Sequence, residues 1–122
     1  MHKKASIALE LKDGTIKSIH CHTKGAPPEA GQVLARHITS ISKVQSLLAL
    51  GDLMAVEVDL VSSLSEREPS LLGTQVCNEI RGQQESFVRT HTSRAQWLKY
   101  SEGKVLYAYL HNRRGWEIFE LF

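Results

Sequence analysis

The alternation of apolar and polar residues is strongest near the start of the chain, in the stretch ASIALELKDGTIKSIHCH from Ala5 to His22. Two alternating runs flank Asp13-Gly14, which is a strong indication of a β-hairpin. With Asp13 and Gly14 as the two central turn residues, the predicted cross-strand pairs are Lys12 with Thr15, Leu11 with Ile16, and Glu10 with Lys17. Such a hairpin forms a half-buried antiparallel sheet, whose apolar face would carry Ala5, Ile7, Leu9, Leu11 and Ile16 and whose polar face would carry Ser6, Glu10, Lys12, Thr15 and Lys17.

Helical spacing follows the helix-breaking cluster KGAPPEAG. Apolar positions recur three and four residues apart and predict an amphipathic helix from about Pro28 to Thr39. Ser42-Lys43-Val44-Gln45 has the form of a capping box, so a second short helix is predicted to begin there. Gly51 is the expected end of that helix, because glycine readily adopts the left-handed conformation that follows a helix.

The second half of the chain is less uniform. The alternating run LMAVEVDLV predicts a strand from Leu53 to Val61, whereas positions 71–88 are compatible with either a strand or a helix. Another capping box, Ser93-Arg94-Ala95-Gln96, predicts a short helix between His91 and Tyr100. The chain closes with VLYAYLH and WEIFELF on either side of a glycine-containing loop, which predicts a second hairpin.

These elements predict one α+β domain over residues 1–122, with an antiparallel sheet built from an N-terminal and a C-terminal hairpin and packed by two or three short helices. The formal charge is only +2, with 15 Lys and Arg against 13 Asp and Glu. This balance argues against an acidic DNA mimic and against a dedicated nucleic-acid binder with a dense basic surface. Cys21 and Cys77 are expected to be free thiols. No secretory signal and no membrane span are predicted, so a cytoplasmic protein is expected.

His20-Cys21-His22 is the clearest candidate for metal binding, because alternate residues on a strand point the same way. A zinc site needs a third ligand, and only tertiary folding would bring in Cys77, His91 or His111. His91-Thr92-Ser93 contains a single H-x-S, and no phosphate-cradling glycine motif is present. We therefore expect no enzyme activity, no cofactor and no bound metal.

The best candidate for ligand binding is Asn112-Arg113-Arg114-Gly115-Trp116, at the tip of the second hairpin. Two guanidinium groups beside an indole suit a phosphate, a carboxylate or a stacked base. Arg81, Arg89 and Arg94 are further candidates for the same surface. The alternative is an ordinary solvated turn whose tryptophan belongs to the core.

The opening of the chain resembles a group of small proteins encoded by phages and prophages, mostly of unassigned function. Their first residues read S-T-I-A-x-E-x-x-D-G-T-I-x-x-I-Y-C-H-W-D-G-Y-P, and a helix ending in K-V-x-x-L-I-x-L-G-D follows. The resemblance covers about the first 55 residues. Here His20-Cys21-His22-Thr23-Lys24-Gly25-Ala26 replaces the Tyr-Cys-His-Trp-Asp-Gly-Tyr of those proteins, so a ligand recognised there by stacking would be lost or changed.

The resemblance implies a phage-type accessory protein that works in the cytoplasm of a bacterial host. The first hypothesis is a non-enzymatic inhibitor that covers a surface of a host protein or ribonucleoprotein complex, in its sharpest form an anti-CRISPR or other anti-defence protein. The second is a homo-oligomeric sponge that sequesters a nucleotide second messenger. The third is a metal-dependent enzyme that uses His20 and His22. The candidate binding residues are Arg113, Arg114, Trp116, Arg94, His20, His22 and Lys24.

Overall fold

A five-stranded sheet forms the centre of the computed structural model, which describes residues 3–56 and 88–122. Its strands are β1 (Ala5–Glu10), β2 (Ile16–Cys21), β3 (Arg89–His91), β4 (Tyr107–Asn112) and β5 (Gly115–Glu120). The strand order is β3-β2-β1-β4-β5. Both predicted hairpins are present, and they join through a parallel pairing of β1 with β4, while all other pairings in this sheet are antiparallel. The α+β prediction is confirmed, with a mixed, mostly antiparallel sheet.

Helices cover both faces of this sheet. A π-helical turn, Pro27–Gly31, leads into α1 (Gln32–His37), and α2 (Ile41–Ala49) follows. The third helix, α3 (Arg94–Ser101), packs on the opposite face. Together these elements form one small domain.

The predicted register of the first hairpin is wrong by one residue. The Leu11 N–H donates to the Thr15 carbonyl at 2.9 Å, and Gly14 has a φ of +89°, so the loop contains three residues instead of two. A type I turn followed by a left-handed glycine accounts for the extra residue. Glu10 therefore lies opposite Ile16, and the predicted pair of Glu10 with Lys17 does not form.

This shift places Ile16 on the face opposite Ile7. The predicted half-buried sheet is also wrong, because apolar clusters pack on both faces. One apolar cluster contains Ile7, Ile19 and the buried residues of α1 and α2, and a second contains Ile16 and Trp97 of α3. On the α3 side Ser6, Ser18, His20 and His91 are buried polar residues. The Trp97 indole N–H donates to the Ser6 hydroxyl at 2.9 Å, which satisfies one of these groups.

The helix boundaries follow the predicted caps in two of three cases. The Ser93 hydroxyl accepts from the Gln96 N–H at 3.1 Å, and Gly51 follows α2 with a φ of +80°, as predicted. The cap of α2 is Ser40 instead of Ser42, because the Ser40 hydroxyl accepts from the Lys43 N–H. Within 53–56 the chain makes one isolated parallel bridge, between Leu53 and Cys21, in place of the predicted strand. Residues 57–61 and most of 71–88 lie outside the described residues.

Candidate functional site

The predicted binding residues separate into two groups at opposite ends of the sheet. His20 pairs with Ser6 at the start of β1, whereas His111, which precedes the second hairpin loop, pairs with Leu9 near the end of β1. Three residues of strand, about 10 Å, separate these two positions. His20, His22 and Lys24 therefore lie at one end, and Arg94, Arg113, Arg114 and Trp116 line a cleft at the other.

At the first end, a buried carboxylate organises the polar side chains. We call this group the histidine end and define it as His20, His22, Asp52, Arg89 and Tyr100. Asp52 is fully buried, and its two oxygens accept from the Arg89 guanidinium at 2.7 and 2.8 Å. The same carboxylate accepts from the His20 backbone N–H at 2.8 Å. Arg89 also donates to the Tyr100 hydroxyl at 3.1 Å.

The backbone that follows α2 puts Asp52 in this position. After Gly51 the chain runs along the part of β2 that β3 leaves uncovered. The Leu53 N–H donates to the His20 carbonyl, and the His22 N–H donates to the Leu53 carbonyl, both at 2.9 Å. These bonds hold Asp52 beside the His20 N–H, where its carboxylate meets Arg89 of the neighbouring strand β3.

Electrostatics fix the protonation states at this end. Burial alone would raise the pKa of Asp52, but the Arg89 guanidinium, the nearby His22 imidazole and the His20 N–H outweigh burial and hold it well below its usual range. Burial and the positive charge of Arg89 lower the pKa of His20 to about 4. Asp52 is therefore ionised and His20 neutral at pH 7.

The two candidate metal ligands, His20 and His22, are close, with ring centroids 6.5 Å apart, and the Nε2 atoms of both are buried without a hydrogen-bond partner in the described part of the chain. The carboxylate next to them is already bound by Arg89. Within residues 3–56 and 88–122 no group of three His, Cys, Asp or Glu side chains is arranged to hold a metal ion.

The remaining sequence candidates near this end have structural partners. The His91 imidazole of the H-x-S motif forms a hydrogen bond with the Ser18 hydroxyl at 3.1 Å, and its pKa is lowered by burial and by Arg89. Lys24 is exposed and adopts a positive φ of 56°, and its carbonyl accepts from the Ala30 N–H. Arg89 belongs to the histidine end and not to the hairpin tip. Cys77 and Arg81 lie outside the described residues.

The second group lines a cleft of about 710 Å³ between the two hairpin loops, which we call the hairpin-end cleft. Its walls are the end of β1, both loops and Ile41 of α2, together with His111, Trp116, Arg94 and Glu117. Four cationic side chains, Lys12, Arg94, Arg113 and Arg114, face two carboxylates, Glu10 and Glu117, so the lining has a net charge of +2 at neutral pH.

Two aromatic side chains fix one wall of the hairpin-end cleft to the end of α1. The Trp116 indole N–H donates to the Ile38 carbonyl at 2.8 Å, and His111 is hydrogen-bonded to the backbone of Thr39. The two rings meet edge to face, with centroids 5.0 Å apart. Trp116 is only half-buried, so part of its ring faces the cleft. The predicted alternatives for this tryptophan, core residue and ligand contact, are therefore not exclusive.

The arginines of the cleft differ from one another. Arg94 lies 3.3 Å from both Glu10 and Glu117, and Glu117 also accepts from the Asn112 amide. Arg113 and Arg114 are the two loop residues of the β4–β5 hairpin, where the Arg114 N–H donates to the Asn112 side chain at 2.8 Å. Both are exposed, and neither guanidinium forms an ion pair with any residue that the structure describes.

Sequence patterns missed Asp52 and Tyr100 and indicated His111 only as a possible third metal ligand, not as part of the hairpin-end cleft. A carboxylate directly after the helix-ending glycine was the only local signal for Asp52, and it names no partner. His111 stands in an ordinary alternating strand, so nothing distinguishes it from a surface histidine before the α1 contact is known.

The chain was compared with protein-family models, curated proteins and solved structures, and no match was found. None of the helices in the described residues has the length and hydropathy that a membrane span requires.

Proposed function

We propose that this protein is a non-enzymatic binding protein of the phage accessory type, which blocks a host component by covering one of its anionic surfaces with the hairpin-end cleft. The observation that carries the proposal is the pair Arg113 and Arg114. Both guanidinium groups are exposed at the edge of a cleft with a net positive lining, and no described carboxylate neutralises them. Arginine forks suit the phosphate and carboxylate groups of such a surface.

The polar groups at and beside the histidine end support a structural role for this part of the protein instead of a catalytic one. Arg89 donates to both Asp52 oxygens, and His91 is hydrogen-bonded to Ser18. The hydrogen bonds of these groups therefore stabilise the fold. A general acid or base needs a free position toward a substrate, which a doubly bound carboxylate does not offer.

A host ribonucleoprotein is the partner that this proposal favours, because its exposed phosphates match the two arginines. The resemblance of the first 55 residues to phage proteins supplies the biological setting. In its sharpest form, the protein inhibits a CRISPR complex by occupying the surface that binds nucleic acid.

The test is phage plating on a bacterial host that carries a defined CRISPR system, with and without this protein. We expect the wild-type protein to restore plating and the double variant Arg113→Glu and Arg114→Glu to lose that effect. The matched control is Arg36→Glu with Lys99→Glu, which makes the same charge change at two exposed helix positions away from the cleft. The proposal of CRISPR inhibition is wrong if the wild-type protein does not restore plating, or if both double variants restore it as well as the wild type.

A further inference from the structure

One polar atom in the wall of the hairpin-end cleft has no partner. His111 is 5% exposed, and its Nδ1 atom is buried without a hydrogen-bond partner among residues 3–56 and 88–122. Buried polar atoms are nearly always hydrogen-bonded, so an unpartnered one at a cleft requires an explanation.

The hydrogen bond to Thr39 determines whether Nδ1 of His111 is a donor or an acceptor. Since Nδ1 has no partner, the nitrogen bonded to the Thr39 backbone is Nε2, and an imidazole that bonds a carbonyl does so by donating. Burial lowers the pKa of His111, which favours the neutral ring. A neutral imidazole with its proton on Nε2 carries a lone pair on Nδ1. His111 therefore offers an acceptor that a donor on a ligand in the cleft would satisfy.

The groups beside His111 narrow the chemistry of that ligand. The Trp116 ring stands edge to face with the imidazole at 5.0 Å, and its N–H is already used by Ile38. The indole can therefore contribute only its apolar surface, on which a planar group stacks. Arg113 and Arg114 follow His111 by two and three residues, and all three residues line the same cleft.

We propose that the hairpin-end cleft binds a nucleotide, with its phosphate on Arg113 and Arg114 and a base N–H donating to Nδ1 of His111. This inference rests on the proposed function, because it names the chemical group that the cleft takes from its partner. Stacking of a base on an aromatic side chain contributes about 1–3 kcal/mol. The cleft volume of about 710 Å³ lies in the usual range for small-ligand sites.

An acidic peptide would satisfy the two arginines through its carboxylates. A nucleotide fits the full set of groups better, since it combines an anion, a planar ring and an edge with N–H donors in one molecule. We therefore make the acidic peptide an arm of the test.

The first experiment uses the wild-type protein alone, with isothermal titration of the four ribonucleoside 5′-monophosphates, ribose 5-phosphate and a short Asp/Glu peptide. We expect at least one nucleotide to bind about ten-fold or more tightly than ribose 5-phosphate, through stacking and the base N–H. Methylation of the donor nitrogens of that base should remove most of this gain. The inference is overturned if ribose 5-phosphate matches all four nucleotides, if methylation has no effect, or if the peptide binds most tightly.

Variants then assign the contacts. His111→Phe keeps a ring but removes the acceptor, so it should abolish the preference for the unmethylated base while ribose 5-phosphate binds as before. The double variant Arg113→Ala and Arg114→Ala should weaken the binding of every phosphate ligand by a similar factor. Lys99→Ala, at an exposed position of α3, should leave the affinity of each ligand unchanged. If His111→Phe folds and still prefers the unmethylated base, the assigned contact is wrong. If His111→Phe does not fold, the titrations of the wild-type protein with methylated and unmethylated nucleotides decide whether the cleft recognises a base N–H.

The two proposals fail separately. Loss of phage restoration in the arginine variant without any nucleotide preference would refute only the nucleotide contact. A His111-dependent nucleotide preference without inhibition of any defence system would refute only the proposed function.

Discussion

At the histidine end of the sheet, Arg89 is bound at 2.7 and 2.8 Å to a fully buried carboxylate, whereas at the hairpin end Arg113 and Arg114 are exposed and lack such a partner among the described residues. The histidines do not divide in this way, because the Nε2 atoms of His20 and His22 and the Nδ1 atom of His111 all lack a hydrogen-bond partner in the described chain. The arginines therefore have different roles at the two ends.

The difference shows why charge in a sequence does not identify a binding site. A buried ion pair must be satisfied by its own fold, because desolvation makes an unpaired buried charge very costly. An exposed pair of arginines contributes little to stability and remains available to a partner. If this comparison is correct, substitutions at the histidine end should mainly reduce the free energy of unfolding, and those at the hairpin end should mainly reduce binding.

The largest effect is expected from Asp52→Ala. This change removes the carboxylate that accepts from the Arg89 guanidinium and the His20 N–H, and breaking a buried ion pair in this way costs about 3–5 kcal/mol. Urea unfolding measures the loss. The control is Glu120→Ala on the exposed edge strand β5, which should change the free energy of unfolding by less than about 0.5 kcal/mol.

A double variant makes this prediction sharper. Adding Arg89→Met to Asp52→Ala removes the guanidinium that has lost its carboxylate and should restore part of the lost stability. Equal losses in Asp52→Ala and Glu120→Ala would show that the histidine end is not held by this ion pair, and the contrast between the two ends would not hold.

The next effect concerns pH. In the unfolded chain His20 has a pKa of about 6.5, whereas the folded protein lowers it to about 4, so only the unfolded chain binds the proton between these values. The stability linked to His20 is therefore complete above about pH 6.5 and is lost as the pH falls toward 4, by roughly 3 kcal/mol. His91 and His111 have pKa shifts in the same direction and add to this loss.

Unfolding by urea at pH 7 and pH 4.5 tests this linkage. His20→Phe should reduce the difference in stability between the two pH values, because the titrating group is gone, while His37→Phe at an exposed position of α1 should leave it in place. Asp52 does not contribute in this range, since its lowered pKa affects stability only below about pH 4. A wild-type protein that is equally stable at both pH values would contradict the burial of a neutral His20.

Local sequence patterns predicted which strands and helices form better than they predicted the register in which the strands pair. Asp13-Gly14 and Asn112–Gly115 marked both hairpins, and Ser93 marked the start of α3, because turns and caps depend on neighbouring residues. The register of the first hairpin depends on whether its loop has two or three residues, and the sequence around Asp13-Gly14 is compatible with both loop lengths. That single residue placed Ile16 on the face that packs against Trp97 of α3.

The candidate site was predictable only in part for a related reason. Arg113, Arg114 and Trp116 are neighbours in the chain, so a hairpin turn suffices to bring them together. Asp52 and Arg89 are 37 residues apart and meet only because the segment after α2 lies along β2. No local pattern reports such a contact, and the same limit applies to the bond between His111 and Thr39.

The smallest expected effect concerns Arg94, which was predicted to bind a ligand and lies between the two ways of using an arginine. Its side chain is 41% exposed and lies 3.3 Å from both Glu10 and Glu117, so Arg94→Ala should reduce the free energy of unfolding by at most about 1 kcal/mol. The same change leaves two carboxylates uncompensated and lowers the net charge of the cleft lining from +2 to +1.

We therefore expect weaker binding of ribose 5-phosphate in Arg94→Ala, with a larger loss at low salt because salt screens the repulsion between the two carboxylates and the phosphate. Titration at two salt concentrations measures this effect, with Lys99→Ala as the control. Unchanged affinity at low salt would mean that Arg94 does not shield the ligand from Glu10 and Glu117, and that only Arg113 and Arg114 determine how the cleft meets an anion.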